Sequence, residues 1–188
     1  MNERDLAAAL ETLRRGGVIL YPTDTVWGLG CDATNEKAVE RIFTIKKRPD
    51  HKSMLVLMEN PALLDRYVED VPEVAWDLIE ITTTPLTIIY DRARNLAPNL
   101  VGEDGSIGIR FTREAFSAEL IRRFRKPLVS TSANLSGEKT PAIFSEIADT
   151  IKQAVDYVVE FRRDDPTIAK PSSILKLGRD GRLDIIRP

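Results

Sequence analysis

Hydroxyl, amide and cationic side chains are concentrated in three short segments of this 188-residue chain. Residues 21–30 read YPTDTVWGLG, residues 46–52 read KKRPDHK, and residues 130–137 read STSANLSG. The first and third segments follow short apolar runs, so each is predicted to lie where a strand ends. Ligands of open α/β sheets commonly bind at such strand ends. Hydroxyls, amides and cations together favour binding of phosphate or carboxylate groups.

The second segment offers two cations of different geometry. Pro49 disfavours continuation of the preceding helix, so Lys46 and Arg48 are expected to spread from a helix end. A lysine supplies a point charge and an arginine a planar fork, a combination that suits a polyphosphate. The structural alternative is that these cations only meet the negative end of the helix dipole.

The two hydroxyl-rich segments also have a structural alternative, because turns often contain Ser, Thr and Asn that bond their own backbone. Neither segment matches a Walker loop or a G-x-G-x-x-G fingerprint. Either segment can still bind phosphate through hydroxyls and backbone N–H groups.

Other chemistries are excluded by counting. The chain has one cysteine, Cys31, and one histidine, His51, so we expect no zinc site of the common kind and no histidine-activated nucleophile. No carboxylate pair is convincing for acid–base catalysis. Asp24 and Asp32 are the nearest candidates, and a turn or capping role is favoured for both.

The elements that must position these segments alternate along the chain. Predicted strands cover residues 18–21, 54–58, 86–90, 106–111, 128–129, 157–161, 173–177 and 183–186. Predicted helices cover residues 35–47, 61–67 and 73–81, a segment capped by Thr112, and a segment from Ile147 to Val155. The pattern predicts one α/β domain over residues 1–188, with an open mixed sheet of about seven strands and flanking helices.

The composition is that of an ordinary folded domain, with 43% hydrophobic and 30% charged residues. No apolar run approaches the roughly 20 residues of a membrane helix, and the N-terminal sequence does not read as a signal peptide. We therefore expect a cytoplasmic protein without membrane contact. The net charge of −2 argues against a protein that coats nucleic acid and leaves room for a local basic cleft.

Taken together, the motifs resemble those of the YrdC-like threonylcarbamoyl-adenylate synthases, the TsaC type of bacteria. The resemblance runs from Gly17 to Pro188 and is most specific in YPTDTVWGLGCDA, in Lys46-x-Arg48-Pro49 and in STSANLSG with its Ser132-x-Asn134 pair. SIGIRF at 106–111, residues 171–173 and residues 186–188 match more weakly.

The resemblance implies a YrdC-like fold with a concave basic cavity, and a reaction of L-threonine, bicarbonate and ATP to threonylcarbamoyl-AMP and pyrophosphate. It implies ATP as substrate, with Mg²⁺ held mainly by the phosphates, and no protein metal site. The catalytic residues carried over are Lys46, Arg48, Ser132 and Asn134. Those carried over around ATP are Lys46, Arg48, Lys52, Ser106, Ser130, Asn134, Thr140 and Arg187. Those carried over around threonine are Thr25, Arg110, Ser132, Ser172 and Ser173.

The chain departs from the family pattern at three places that bear on threonine recognition. Residues 52–54 read Lys-Ser-Met where many members read Lys-Pro-Leu. Leu57 stands where some members have a histidine, and residues 82–87 read TTTPLT where many read WPGPLT. The Lys-x-Arg and Ser-x-Asn pairs are both present, which favours the synthase branch over a paralogous branch that lacks them.

Two alternatives remain open. One is a non-catalytic module that binds double-stranded RNA or tRNA through the cavity and the basic run Arg122-Arg123-x-Arg125-Lys126, although that run is also typical of a solvated helix end. The other is a related carbamoyl- or phosphate-handling enzyme. For the synthase, the expected partners are tRNA and the proteins of the tRNA threonylcarbamoyl-transfer complex.

Overall fold

The computed structural model describes residues 2–47 and 54–188. Five α-helices are present in these ranges: α1 (Glu3–Arg14), α2 (Glu36–Lys46), α3 (Glu73–Ile81), α4 (Ala115–Phe124) and α5 (Asp149–Ala154). Nine strands are present: β1 (Ile19–Tyr21), β2 (Gly28–Gly30), β3 (Leu55–Met58), β4 (Leu86–Tyr90), β5 (Ile107–Phe111), β6 (Leu128–Ser132), β7 (Tyr157–Val158), β8 (Ser173–Leu177) and β9 (Leu183–Arg187).

The nine strands form one mixed sheet in the order β7-β1-β2-β6-β3-β5-β4-β8-β9. The pairs β1–β7, β3–β5 and β4–β8 are parallel, and the other neighbouring pairs are antiparallel. The open mixed α/β sheet confirms the predicted fold class.

The predicted count of about seven strands is wrong, since the sheet has nine. The strand that the apolar pattern does not reveal is β2, whose sequence is only Gly-Leu-Gly. A Cβ on Gly30 would lie 2.5 Å from a ring carbon of Tyr21 and 3.0 Å from the carbonyl oxygen of Val129. Close packing between β1 and β6 therefore requires a glycine at position 30. Gly30 lies in strand β2 and not in a turn.

Three helical features also differ from the sequence prediction. The first helix, α1, was not predicted. Residues 61–66 form a 3₁₀ helix rather than an α-helix. The N-cap of α4 is Glu114, whose carboxylate accepts from the Ser117 N–H at 2.8 Å, whereas Thr112 shares a hydrogen bond with the Ser117 hydroxyl.

The helices cover the sheet through apolar faces. Helix α1 packs against α4 and the β1–β7 edge, and α2 packs against α5. Leu20, Ile42 and Phe116 are fully or almost fully buried in the resulting core. Among the described residues, no helix is both long and apolar enough to cross a membrane.

One buried carboxylate ties the first helix to the β7 edge. Asp5 of α1 is 2% exposed and accepts hydrogen bonds from the Tyr157 hydroxyl at 2.8 Å and from the backbone N–H groups of Glu160 and Phe161, each at 2.9 Å. Three donors satisfy this carboxylate, so its burial is compensated.

Replacing Asp5 should therefore destabilise the whole domain. Asp5→Ala leaves two backbone donors without their partner, and we expect the free energy of unfolding to fall by about 2–4 kcal/mol. Urea denaturation followed by circular dichroism measures the change. Glu11→Ala, on the exposed face of the same helix, should change it by less than about 0.5 kcal/mol. Equal effects of the two substitutions would contradict the assigned role of Asp5.

Candidate active site

A cavity of about 390 Å³ lies on one face of the sheet. Among the residues that line it are eight that the sequence predicted for the site: Thr25, Ser106, Arg110, Ser130, Ser132, Thr140, Ser172 and Arg187. They come from the loop after β1, from strands β5, β6 and β9, and from loop segments between the elements. Side-chain alternation along the central strands explains the set: Thr87 and Ile89 of β4, with Gly108 and Arg110 of β5, face the cavity.

Arg110 is the buried cation of this cavity, with a side chain that is 4% exposed. Its Nη2 lies 3.1 Å from Oδ1 of Asp24, whose side chain is 15% exposed. Burial lowers the pKa of Arg110 and raises the pKa of Asp24, and the attraction between them opposes both shifts. Within the described ranges, Nε of Arg110 has no hydrogen-bond partner. A ligand anion in the cavity would supply the missing acceptor.

Hydroxyl groups are fixed around this arginine. The Thr23 and Thr25 hydroxyls are 3.1 Å apart, and the Thr23 hydroxyl also donates to the Val26 carbonyl at 2.8 Å. On the opposite wall the Thr87 and Ser172 hydroxyls are 2.8 Å apart. These networks hold side-chain oxygens at set positions in the cavity, so little reordering is needed when a polar ligand binds.

Arg187 of β9 is the second cation that lines the cavity. Its Nε and Nη2 donate to the Ser172 carbonyl oxygen at 2.9 and 2.7 Å. The contact fixes the C-terminal strand against the segment that enters β8. Together with Arg110, it makes the lining basic, because the described residues that line this cavity include no carboxylate.

Lys46 lies behind the hydroxyl-rich loop that follows β6. The side chain is 1% exposed, and its Nζ donates to the carbonyl oxygens of Ser132 at 2.5 Å and Asn134 at 2.6 Å. The Lys46 carbonyl in turn accepts from the Ser136 N–H at 2.8 Å. The end of α2 thus holds the loop from both backbone and side chain, a structural contribution that the sequence analysis missed.

Three of the predicted site residues are not among those that line the cavity: Lys46, Asn134 and Ser173. The Asn134 amide donates to the carbonyls of Leu135 and Glu138, each at 2.9 Å, and its Oδ1 is buried with no partner in the described part of the chain. Ser173 is the first residue of β8 and does not line the cavity, whereas Ser172 and Ile174 do, so its assignment to threonine stays a prediction. Arg48 and Lys52, and also His51, lie outside the described residues.

A second cavity, of about 480 Å³, lies on the opposite face of the sheet. Its lining includes Asp24, Glu114 and the whole segment from Thr82 to Pro85. The departure from the family pattern at 82–85 was expected to bear on threonine recognition, but this segment does not line the first cavity. Leu57 is fully buried and is also absent from that lining.

The basic run at the end of α4 is largely neutralised by carboxylates. Arg122 and Arg123 both bond Glu119, Arg123 also pairs with Glu3, and Lys126 Nζ lies 2.6 Å from Asp32. These pairs favour the reading of the run as a solvated helix end over an RNA-binding surface. Asp32 also accepts from the N–H and hydroxyl of Thr34, so its role in the structure is local.

The structure is that of an α/β protein whose sheet has a basic, hydroxyl-lined cavity on one face, a lining whose chemistry suits anions. The family described as telomere recombination, Sua5/YciO/YrdC, matches residues 11–188. The chain belongs to this family.

Individual relatives agree with this assignment. The chain is 37% identical over 162 residues to the threonylcarbamoyl-AMP synthase of Pseudoalteromonas translucida (strain TAC 125), covering 85% of this chain and 87% of that protein. The crystal structure of E. coli YciO superposes with a TM-score of 0.84 at 28% identity, covering 99% of this chain and 89% of that chain. P. abyssi Sua5 complexed with L-threonine shares the fold, with a TM-score of 0.83 at 24% identity over 94% of this chain and 52% of that chain.

The contacts of Lys46 generate a stability prediction. Lys46→Met keeps most of the side-chain volume but removes the donor of two loop carbonyls, so we expect the free energy of unfolding to fall by about 2–4 kcal/mol. Chemical denaturation measures the change. Lys37→Met, at an exposed position of the same helix, serves as the control and should stay within about 0.5 kcal/mol of the unmodified protein. A stability loss no larger than that of the control would show that the buried contacts do not hold the loop.

Proposed function

We propose that this chain is an L-threonylcarbamoyladenylate synthase, which makes threonylcarbamoyl-AMP and pyrophosphate from L-threonine, bicarbonate and ATP. The observation that carries the proposal is the buried Arg110, which lines a hydroxyl-rich cavity and keeps a donor unused. The threonylcarbamoyl-AMP synthases at 30–37% identity support it at the level of the whole chain. The product serves the threonylcarbamoyl-adenosine modification of tRNA in this proposal.

Threonine is assigned to the Arg110 end of the cavity. A guanidinium fork matches a carboxylate, and the unused Nε–H is a donor for one carboxylate oxygen. The hydroxyls of Thr25 and Ser172 line the same cavity and suit the polar groups of a small hydroxy amino acid.

ATP is assigned to the end of the cavity formed by Ser130, Ser132, Thr140 and Arg187. Hydroxyls and backbone N–H groups at a strand end can bind phosphate oxygens without a Walker loop. Trp27, Leu55 and Ile174 give the cavity apolar surface on which a flat base can pack. Arg48 and Lys52 remain assigned to the phosphates from the sequence resemblance.

Over residues 2–47 and 54–188, the side chains form no cage for Mg²⁺. These residues place no carboxylate in the lining of the cavity, and they contain no group of three or more His, Cys, Asp or Glu side chains placed to hold a metal. Mg²⁺ would therefore enter with ATP, held by phosphate oxygens and water, and would neutralise part of the polyphosphate charge.

The chemistry in this proposal needs no enzyme nucleophile. The nitrogen of the neutral threonine amine forms a bond to the bicarbonate carbon, and the bicarbonate hydroxyl leaves as water with one proton from that amine, which yields the carbamate. A carbamate oxygen then bonds the α-phosphorus of ATP, and the bond to the pyrophosphate oxygen breaks. Cys31 is fully buried and burial raises the pKa of its thiol, so it is unsuited to nucleophilic attack. Positioning and charge stabilisation supply the catalysis.

The loop 132–136 is the proposed orienting element. Lys46 contributes by fixing the carbonyls of Ser132 and Asn134, so that the Ser132 side chain is presented to the cavity. We place the protein in the cytoplasm and treat residues 1–188 as one YrdC-like domain. tRNA and the proteins of the threonylcarbamoyl-transfer complex are its proposed partners.

The test is pyrophosphate release from ATP with substrates omitted one at a time. Release should require both L-threonine and bicarbonate, and Arg110→Met should raise the threonine KM by about tenfold or more, since one charge-assisted contact is lost. L-serine should be about 10–200-fold less effective, because it lacks one methyl group. Asp32→Asn, outside the cavity, is the matched control and should retain the activity. Release that is independent of threonine would refute the proposal and favour a related phosphate-handling enzyme.

A further inference from the structure

The ion pair between Asp24 and Arg110 joins the two faces of the sheet. Arg110 lines the first cavity and not the second, whereas Asp24 lines the second and not the first. Their closest atoms, Nη2 and Oδ1, are 3.1 Å apart, with side-chain exposures of only 4% and 15%. Asp24 is therefore not among the described residues that line the cavity assigned to the substrates. It can act on a ligand there through its contact with Arg110 and through the field of its charge.

The contact compensates charge but leaves one donor of the guanidinium unused. In the described part of the chain, Arg110 Nε is buried and has no hydrogen-bond partner. A second carboxylate, Glu114, with a side chain that is 8% exposed, lies near enough to raise the pKa of Asp24 by repulsion. The corner of the cavity at Arg110 thus has an unused donor but little or no net positive charge.

We propose that Asp24 is a positioning and specificity residue that fixes Arg110 and makes its corner accept a monocarboxylate while rejecting phosphate dianions. The proposal rests on the proposed function, since it concerns how the two anionic substrates are kept at separate ends of one cavity. An amino acid zwitterion has no net charge and gains the hydrogen bonds of Arg110. A dianion gains the same hydrogen bonds but is repelled by Asp24 with twice the Coulomb energy of a monoanion.

The need for such discrimination follows from the cavity itself. Arg110 and Arg187 line the same space, so without Asp24 the buried Arg110 would be the stronger site for a polyphosphate group. ATP would then occupy the threonine corner unproductively. With Asp24 in place, the net positive charge of the described lining lies toward Arg187, where the phosphates are assigned.

Competition between sulfate and L-threonine tests the proposal. Sulfate is a tetrahedral dianion over the whole useful pH range, so it probes the phosphate preference without titrating. Threonine affinity is measured by calorimetry with and without saturating sulfate. In the unmodified protein, sulfate should change the threonine Kd by less than about twofold. In Asp24→Asn it should raise that Kd by about tenfold or more, because the corner now binds the dianion.

Two further variants separate specificity from stability. Asp32→Asn removes another buried carboxylate, paired with Lys126 away from either cavity, and should behave as the unmodified protein does toward sulfate. Asp24→Glu keeps the charge and should retain resistance to sulfate. If Asp24→Asn and the unmodified protein respond equally to sulfate, the specificity role is wrong although threonine still binds. If the unmodified protein binds no threonine at all, the proposed function falls, and the selectivity with it.

The unmodified protein provides an independent test if Asp24→Asn does not fold. Burial raises the pKa of Asp24, so Asp24 is protonated at higher pH than an ordinary aspartate and loses its charge as the pH falls. The charged or titratable groups that face it are Arg110 on β5, Tyr21 on β1 and Glu114 at the start of α4.

As the pH is lowered from neutral to about 4, sulfate should therefore begin to compete with threonine in the unmodified protein. It should persist in Glu114→Gln, which keeps an amide oxygen as the acceptor for the Ser117 N–H and cannot titrate. The assignment to Asp24 would be overturned if sulfate competed with threonine neither at neutral pH nor at about pH 4. It would also be overturned if the competition at low pH were lost in Glu114→Gln.

Discussion

A guanidinium group buried in the middle of a sheet is the constraint on which the site depends. Removing such a charge from water costs several kcal/mol unless opposite charge and hydrogen-bond acceptors replace the solvent. In this fold Asp24 supplies the charge, but acceptors are missing, because Nε of Arg110 is unpartnered among the described residues. The cavity in front of Arg110 is thus a place where a carboxylate ligand completes an unfinished network.

The remainder of the architecture holds this group in place. Antiparallel pairing of β5 with β4 sets Arg110 opposite Thr87. Parallel pairing of β4 with β8 sets Thr87 opposite Ile174, and Ser172, two residues before Ile174, also lines the cavity. On the other side, β2 pairs with β1 and β6 and brings the loop with Thr25 over the sheet. Strands distant in sequence therefore converge on one face, and on β4 and β5 every second residue lines the cavity.

The sequence predicts those features that depend on local pattern. Apolar runs identify β1, β4, β5 and β8, and the dipeptide Asp180-Gly181 identifies the turn between β8 and β9, where Gly181 has a φ of 81°. The eight predicted site residues that line the cavity were identified from family motifs, not from the periodicity of apolar residues. Strand β2 was not predicted, because close packing rather than hydrophobicity selects its glycines, and an apolar pattern does not reveal it.

Side-chain direction is the information that motifs do not contain. Ser172 and Ser173 were assigned together, but of the two only Ser172 lines the cavity, and no motif distinguishes between them. The burial of the Lys46 side chain and the contact of Asp24 with Arg110 depend on where distant segments of the chain meet. No local sequence pattern encodes that information. Asp24 was accordingly interpreted as a turn residue, and its contact with Arg110 became evident only from the sheet.

The most direct test of the account is a crystal structure of the protein with L-threonine and a non-hydrolysable ATP analogue. The account predicts the threonine carboxylate within about 3 Å of Arg110 nitrogen atoms and the triphosphate beside Ser132 and Arg187. Asp24 should remain paired with Arg110. A triphosphate bound at Arg110, or threonine bound in the second cavity beside Thr82 to Pro85, would contradict it.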